Sequence, residues 1–283
     1  MENSTSIADP FKYIEVEPGI HLHITDKGAG APVVFIHGWP QSDCIFKDQY
    51  EDLAGKGYRA IGITLRGFGQ SDKPRSTYNF DVFANDIRVV LEQMELENVV
   101  LVGYSMGGAI AVTYLLNFPA NKVGKLVLLS ANVPVAASSK DFPFGITPEN
   151  FNIAIKLCET DKNSLTDVYG PLFQLKDDFL PRQTGDWVNK INRRSSPRAA
   201  IEGLICLRDF DVRVQLREIS VPTAIFHGAN DSSVVFEIAL QAFRTIPNAQ
   251  LVSFSKGGHW ITLKEREKFL FELLKFIEYP AVG

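Results

Sequence analysis

The chain has 283 residues, 45% of them hydrophobic and 22% charged, with a formal net charge of −4. A length of this order holds one large core, or one core with an accessory insertion, and the apolar fraction is that of an ordinary soluble globular protein. The acidic balance excludes the basic footprint that nucleic acid or an anionic membrane requires, and no apolar run reaches the roughly 18 residues of a membrane span.

The N-terminal stretch MENSTSIADPFKY carries an acidic residue, no positive flank and no apolar run, so it is not read as a secretion signal. Cys44, Cys158 and Cys206 are widely separated and show no metal spacing. Three such residues are expected to be reduced, packed thiols in a reducing compartment, which makes a cytoplasmic location the expectation.

Taken in chain order, FKYIEVE and IHLHITD alternate around Pro18-Gly19 and predict a hairpin over 12–26. From residue 32 the pattern changes to short continuous apolar runs: APVVFIHG, YRAIGITL, NVVLVG and GKLVLLS. Such runs fit strands covered on both faces. Between them, FDVFANDIRVVLEQMEL places Val82, Phe83, Ile87, Val90, Leu91 and Met94 at helical spacing. Alternating strands and helices predict a mostly parallel sheet with helices on both faces.

The alternation stops after Ser130. Residues 132–212 show no strand pattern but two helix starts, Thr147-Pro148-Glu149 and Ser196-Pro197, each with a capping hydroxyl followed by proline. Strands resume at VPTAIFHG (221–228) and AQLVSFS (249–255), and an amphipathic helix closes the chain over 264–278. The expected organisation is a core domain from 1–131 and 213–283, interrupted by a helical cap over 132–212. No repeat or flexible linker is present.

Gly103-Tyr104-Ser105-Met106-Gly107 sits where a buried strand hands over directly to a helix. A turn that sharp strains the serine backbone and lifts the side chain above the sheet edge, and glycine two residues either side lets neighbouring backbones pass. Ser105 is therefore a candidate nucleophile, with the backbone N–H of Met106 at the helix start as an oxyanion donor. A second donor is expected from the loop after the first core strand, where FIHGWP offers the N–H of Trp39.

A serine needs a base, and the base an orienting acid. His21 and His23 share one face of the hairpin and find no third metal ligand, so both read as solvated or packed. His37 and His227 each precede a glycine at a strand end and read as structural residues near the site. His259, in SKGGHWITL between the last strand and last helix, is the candidate base. Asp231, three residues past Gly228 in IFHGANDSSV, is the candidate acid, because ANVPVA after the alternative strand holds no carboxylate. The order Ser105, Asp231, His259 is the one this architecture uses.

Together HGWPQSD, LRGFGQSD, GYSMGG, HGAND and GGHW resemble the α/β-hydrolase fold family over nearly the whole chain. HGWP with G-x-S-M-G-G is similar to its cofactor-free haloperoxidase and arylesterase branch. The resemblance implies an eight-stranded sheet, a helical cap, a Ser-His-Asp triad and hydrolysis of a small-molecule ester or lactone through an acyl-enzyme. It implies no cofactor and no metal. In haloperoxidase-type members the nominal peroxidase activity is perhydrolysis, and the Trp39-Pro40 pair matches them. C–C bond or lactam hydrolysis would use the same triad, and a slow-turnover ligand receptor is the alternative of another class.

Three positions depart from the family pattern. Thr64 stands where an acidic residue precedes x-R-G, Ser232-Ser233-Val234-Val235 lacks the usual arginine and proline, and Trp260 follows the base. Gly28-Ala29-Gly30 and Gly67-Phe68-Gly69 complete no phosphate motif and read as turns. Arg193, Arg194 and Arg198 read as a solvated helix face. Of the cap aromatics Phe142, Phe144, Phe151, Phe173, Phe179 and Trp187, most are expected in a cap core and some in an apolar acyl pocket, for which Trp39, Phe142, Phe144, Trp187 and Trp260 are the candidates.

Overall fold

The computed structural model describes residues 11–118, 122–160 and 180–278. Phe173, Phe179 and the N-terminal segment 1–10 lie outside the described residues. Eight strands form one sheet in the order β1-β2-β4-β3-β5-β6-β7-β8. The hairpin pairs β1 (Phe11–Glu17) with β2 (Ile20–Gly28), and β2 runs antiparallel to β4 (Arg59–Ile63). From β4 onward every pairing is parallel, through β3 (Pro32–Ile36), β5 (Val99–Tyr104), β6 (Val123–Leu129), β7 (Thr223–Gly228) and β8 (Ala249–Phe254). The continuous apolar runs are the strands with helices on both sides: all six residues of β5 and of β7 are buried. β8, at the edge, is mostly half-exposed.

The helices start where their capping residues stand. Asn79 caps α2 (Phe80–Gln93) by accepting the Val82 N–H at 2.8 Å. Its inward face carries Phe83, Ile87, Val90 and Leu91 as the spacing predicts, but also Asp86. That carboxylate meets Arg66 in a forked pair, 2.6 Å on each arm, with Asp86 0% and Arg66 2% exposed. α1 (Lys47–Ala54) follows a short 3₁₀ turn after β3, and α3 (Met106–Asn117) is buried on all sides through Leu115. The last helix spans Arg266–Glu278, two residues later than expected, because a separate short helix, Ile261–Lys264, precedes it.

Between β6 and β7 the described residues hold α4 (Pro148–Thr160), α5 (Arg182–Asn192) and α6 (Pro197–Asp209). Thr147 and Ser196 cap α4 and α6 through their hydroxyls, at 3.2 and 3.0 Å, as the two helix-start signals predict. α4 packs on α6, and among the described residues of this segment β pairing is limited to two isolated bridges, Val135 with Asp211 and Ala137 with Ile146. No helix among the described residues is long and apolar enough to cross a membrane.

This topology determines where chemistry gathers. Parallel strands point their C-terminal ends to one edge, and ligands bind outside that edge. The loops leaving β3, β5, β6, β7 and β8 there carry Trp39, Ser105, Asn132, Asp231 and His259.

Candidate active site

Ser105 is the single residue between β5 and α3, with φ 54° and ψ −118°. A non-glycine residue in that region costs on the order of 1–3 kcal/mol, so its surroundings must hold it. They do so through the main chain. Its N–H donates to the Leu129 carbonyl at 3.0 Å, and its own carbonyl accepts from Gly108 at 3.0 Å and Asn132 at 3.2 Å. The flanking glycines are spatial requirements. A Cβ on Gly107 would lie 2.3 Å from the Ile36 carbonyl oxygen, and one on Gly103 would lie 2.5 Å from the Gly107 oxygen.

Met106 is the first residue of α3, so its N–H has no carbonyl one helical turn behind it and lies at the positive end of the helix dipole. The β3 loop runs alongside: a Cβ on Gly38 would meet the Ser105 Cβ at 2.9 Å. Trp39 is buried, and its indole Nε1 donates to the Ala200 carbonyl of α6 at 2.8 Å. Gly203, one turn further along α6, faces both the Trp39 ring and the Met106 sulfur.

On the other side of Ser105, the loops after β7 and β8 meet. A Cβ on Gly228 would lie 2.0 Å from the Gly258 oxygen. His259 Nδ1 lies 2.8 Å from Asp231 Oδ2. Asp231 Oδ1 accepts the N–H groups of Ser233 and Val234 at 2.9 and 2.8 Å. Burial alone would raise the Asp231 carboxyl. The His259 charge and hydrogen bond, with smaller help from His227 and the Val234 N–H, outweigh it and hold the group below the usual carboxylate range. A carboxylate there accepts the hydrogen bond from Nδ1–H, which fixes the tautomer and leaves the Nε2 lone pair as the basic site of the ring. The Tyr104 hydroxyl donates to the His259 carbonyl at 3.2 Å, and the Trp260 ring stands edge-on to the imidazole at 5.9 Å.

The other histidines are fixed differently. His37 donates Nδ1–H to the Gly38 carbonyl at 2.8 Å and accepts the Leu65 N–H on Nε2 at 3.0 Å. Burial pushes it down to about 4, against the Gly38 carbonyl and Asp43. His227 donates to the Val234 carbonyl at 2.6 Å, and burial lowers it despite Asp231 3.6 Å away. His21 pairs with Asp72 at the surface, and buried His23 lies against Gln70 and Asp43.

Asn132 is the polar group that sequence reasoning passed over. It is buried, and its Oδ1 accepts the Ser105 hydroxyl at 3.1 Å. A triad acid after β6 would announce itself as a carboxylate, and a neutral amide carries no such signal. The three departures also find places. Thr64 donates its hydroxyl to buried Asp43, which also accepts from Thr25 at 2.5 Å, so HGWPQSD supplies a carboxylate to this loop. Ser233 and Val234 serve Asp231 with backbone N–H groups. Trp260 is buried beside the base.

The aromatic pocket candidates fall in three places. Trp39 and Trp260 lie next to Ser105 and His259. Phe142 packs with Val135, Val234 and Ile238 in a small separate cluster, and Phe144, 39% exposed, stands edge-on to it. Trp187 faces the Lys47 ammonium at 4.6 Å in a surface cleft of about 270 Å³, also lined by Gln183, Thr184 and Leu263.

Residues 31–265 match the family model described as the alpha/beta hydrolase fold. The chain belongs to that family and is an enzyme of its superfamily, and its relatives include non-heme haloperoxidases and esterases. It is 37% identical over 257 residues to the AB hydrolase superfamily protein YisY of Bacillus subtilis, covering 90% of this chain and 95% of that one. It is 31% identical to the non-heme chloroperoxidase CPO-A1 of Kitasatospora aureofaciens, over 92% and 96% of the two chains. Among solved structures, the esterase EaEST from Exiguobacterium antarcticum superposes with a TM-score of 0.90 at 35% identity, over 95% of this chain and 99% of that one.

Proposed function

We propose that the protein is a serine hydrolase that cleaves a small-molecule carboxylic ester or lactone through an acyl-enzyme. The observation that carries this reading is the 2.8 Å bond between His259 Nδ1 and Asp231 Oδ2, set at the same sheet edge as a serine with φ 54°. Ser105 Oγ attacks the substrate carbonyl while His259 Nε2 takes its proton. The N–H groups of Trp39 and Met106 receive the charge that develops on the carbonyl oxygen. His259 returns the proton to the leaving alcohol, Asp231 stabilises the imidazolium, and water then repeats the sequence against the acyl group.

Residues 132–212 act in this reading as a cap over the site. The Trp39 indole bonded to Ala200 ties that cap to the oxyanion loop. Trp39 and Trp260, next to Ser105 and His259, are the apolar groups offered to the substrate, while Phe142, Phe144 and Trp187 pack elsewhere. The free thiols of Cys44, Cys158 and Cys206 fit a cytoplasmic enzyme. The Trp39-Pro40 pair and the chloroperoxidase relative favour a second activity at the same serine, with peroxide replacing water on the acyl-enzyme.

The test is the steady-state rate on p-nitrophenyl butyrate, wild type beside Ser105→Ala. Many turnovers in the first and none in the second are expected. Equal rates in the two, or no turnover by wild type, would overturn the reading.

A further inference from the structure

Asn132 lies next to the proposed nucleophile but belongs to neither the triad nor the oxyanion donors. Its place is tightly built. β6 ends at Leu129, and Ser130 turns the chain with φ 42° while its N–H bonds to the Phe226 carbonyl at 2.8 Å. Ala131 then presses on the first turn of α3, where a Cβ on Gly108 would meet its Cβ at 2.4 Å. The Asn132 N–H bonds to the Ser105 carbonyl at 3.2 Å, and its side-chain Oδ1 accepts the Ser105 hydroxyl at 3.1 Å. Two bonds to one residue fix this side chain on the nucleophile. In the sheet order, β6 is on the opposite side of β5 from β3, so Asn132 approaches Ser105 from the side away from the Trp39 loop.

An asparagine side chain has one acceptor oxygen and an NH2 with two donors. Among the described residues no hydrogen bond uses the Asn132 NH2. During an acyl-enzyme cycle Ser105 Oγ changes its hydrogen-bonding character. In the free enzyme it is a hydroxyl that donates. In the acyl-enzyme it is an ester oxygen that only accepts, and as that ester is cleaved it gathers negative charge. An amide oxygen 3.1 Å from an ester oxygen sets two acceptors against each other. The terminal torsion of asparagine has two nearly equivalent settings, and amide oxygen and nitrogen occupy almost the same space. A half-turn therefore replaces the acceptor with a donor without moving a neighbour.

We propose that Asn132 is a catalytic residue with two alternating roles, its amide oxygen holding the Ser105 hydroxyl in the free enzyme and its amide nitrogen donating to Ser105 Oγ in the acyl-enzyme. This rests on the serine-hydrolase reading. In acylation the Ser105 hydroxyl turns its one proton from Asn132 Oδ1 to His259 Nε2, the Oγ–C bond forms, the bond to the leaving alkoxy group breaks, and the proton passes through His259 to that group. In deacylation the water oxygen bonds to the acyl carbon, the C–Oγ bond breaks, and the water proton passes through His259 to Oγ. The donor acts in the second half, where Oγ is the leaving group and a hydrogen bond to its developing charge lowers the barrier. Asn132 thus speeds the release of acid and contributes little to the attack on ester.

The test separates the two halves with p-nitrophenyl butyrate, in wild type, Asn132→Ala, Asn132→Asp and Ser105→Ala, each checked for folding by its thermal midpoint. For Asn132→Ala, kcat is expected to fall about tenfold and KM to fall with it. kcat/KM, which reports acylation, should stay within about threefold, and a burst of p-nitrophenol equal to the enzyme should appear. Asn132→Asp keeps the shape and the acceptor but has no donor at neutral pH, and should lose at least as much kcat. An Asn132→Asp enzyme with wild-type kcat would overturn the proposal in favour of a packing role, as would an Asn132→Ala enzyme whose kcat/KM falls while KM and burst stay unchanged. If Ser105→Ala hydrolyses the ester as fast as wild type, the serine-hydrolase reading itself fails, a result distinct from either of those.

Discussion

Asp86 and Asp231 are both buried carboxylates, and they behave differently because their partners differ. Asp86 faces Arg66, whose charge is permanent, through two bonds of 2.6 Å. Asp231 faces His259, an imidazole with a neutral as well as a charged form, through one bond of 2.8 Å. Asp86 is enclosed by a helix face and a loop behind the sheet edge, and the forked geometry gives its partner one orientation. Asp231 has its second oxygen occupied by two backbone N–H groups, which leaves the first free to serve the imidazole. A buried acid locked to a guanidinium builds structure. A buried acid held by the main chain and turned toward an imidazole can follow a proton.

The largest effect that could break this contrast is on the nucleophile both halves of the proposed site serve. Ser105→Ala should lower kcat on p-nitrophenyl esters by about 10⁵-fold or more while the thermal midpoint stays near wild type. Asp231→Asn should cost about 10⁴-fold in kcat, because the amide no longer fixes the imidazole tautomer. A loss under tenfold in the same assay would show that another group orients the base. Asp86→Ala is expected to do the reverse. It leaves Arg66 buried without its main partner, so urea unfolding should show a loss of about 3–5 kcal/mol, with kcat per folded molecule unchanged. Activity lost in parallel with neither midpoint nor unfolding free energy affected would erase the distinction between the two acids.

The smallest effect concerns a histidine that belongs to neither pair. Burial holds His37 at about 4 in the folded protein, against the ordinary 6.5 of a free imidazole. The unfolded chain therefore binds a proton that the native state refuses. The stability owed to neutral His37 is complete above pH 6.5 and is lost as pH falls toward 4. Between pH 7 and pH 5 the loss is about 2 kcal/mol. Unfolding of His37→Asn, followed by urea at both pH values, should lack that increment; an unchanged pH dependence would show that other groups carry it.

Much of this was legible in the chain. The continuous apolar runs predict the parallel strands because a strand covered on both faces has no polar side to alternate. The glycines around Ser105 predict the sharp turn because no side chain fits there. Ser196-Pro197 and Thr147-Pro148 predict helix starts because the cap and the fixed φ act locally. What escaped was decided by distance in sequence. Asp86 sits among apolar positions of a helix, and nothing nearby announces Arg66 twenty residues earlier. Thr64 reads as a missing acid, yet Asp43 supplies a carboxylate across the loop. Asn132 reads as one residue of a small-residue stretch until β6 brings it to Ser105. Pairings between strands are also non-local, and with them every group that depends on a neighbour across the sheet.

The bond from the Trp39 indole to Ala200, with Gly203 lodged against Trp39 and Met106, joins α6 to the loop after β3 and to the start of α3. In the proposed reading the segment between β6 and β7 meets the substrate and the edge of the sheet holds the reacting groups. Here one helix belongs to both. In that reading a change in α6 that admits a bulkier substrate would also shift Trp39 and Met106, the proposed oxyanion donors. An insertion transplanted whole from another member of the fold is therefore expected to cost rate before it changes choice.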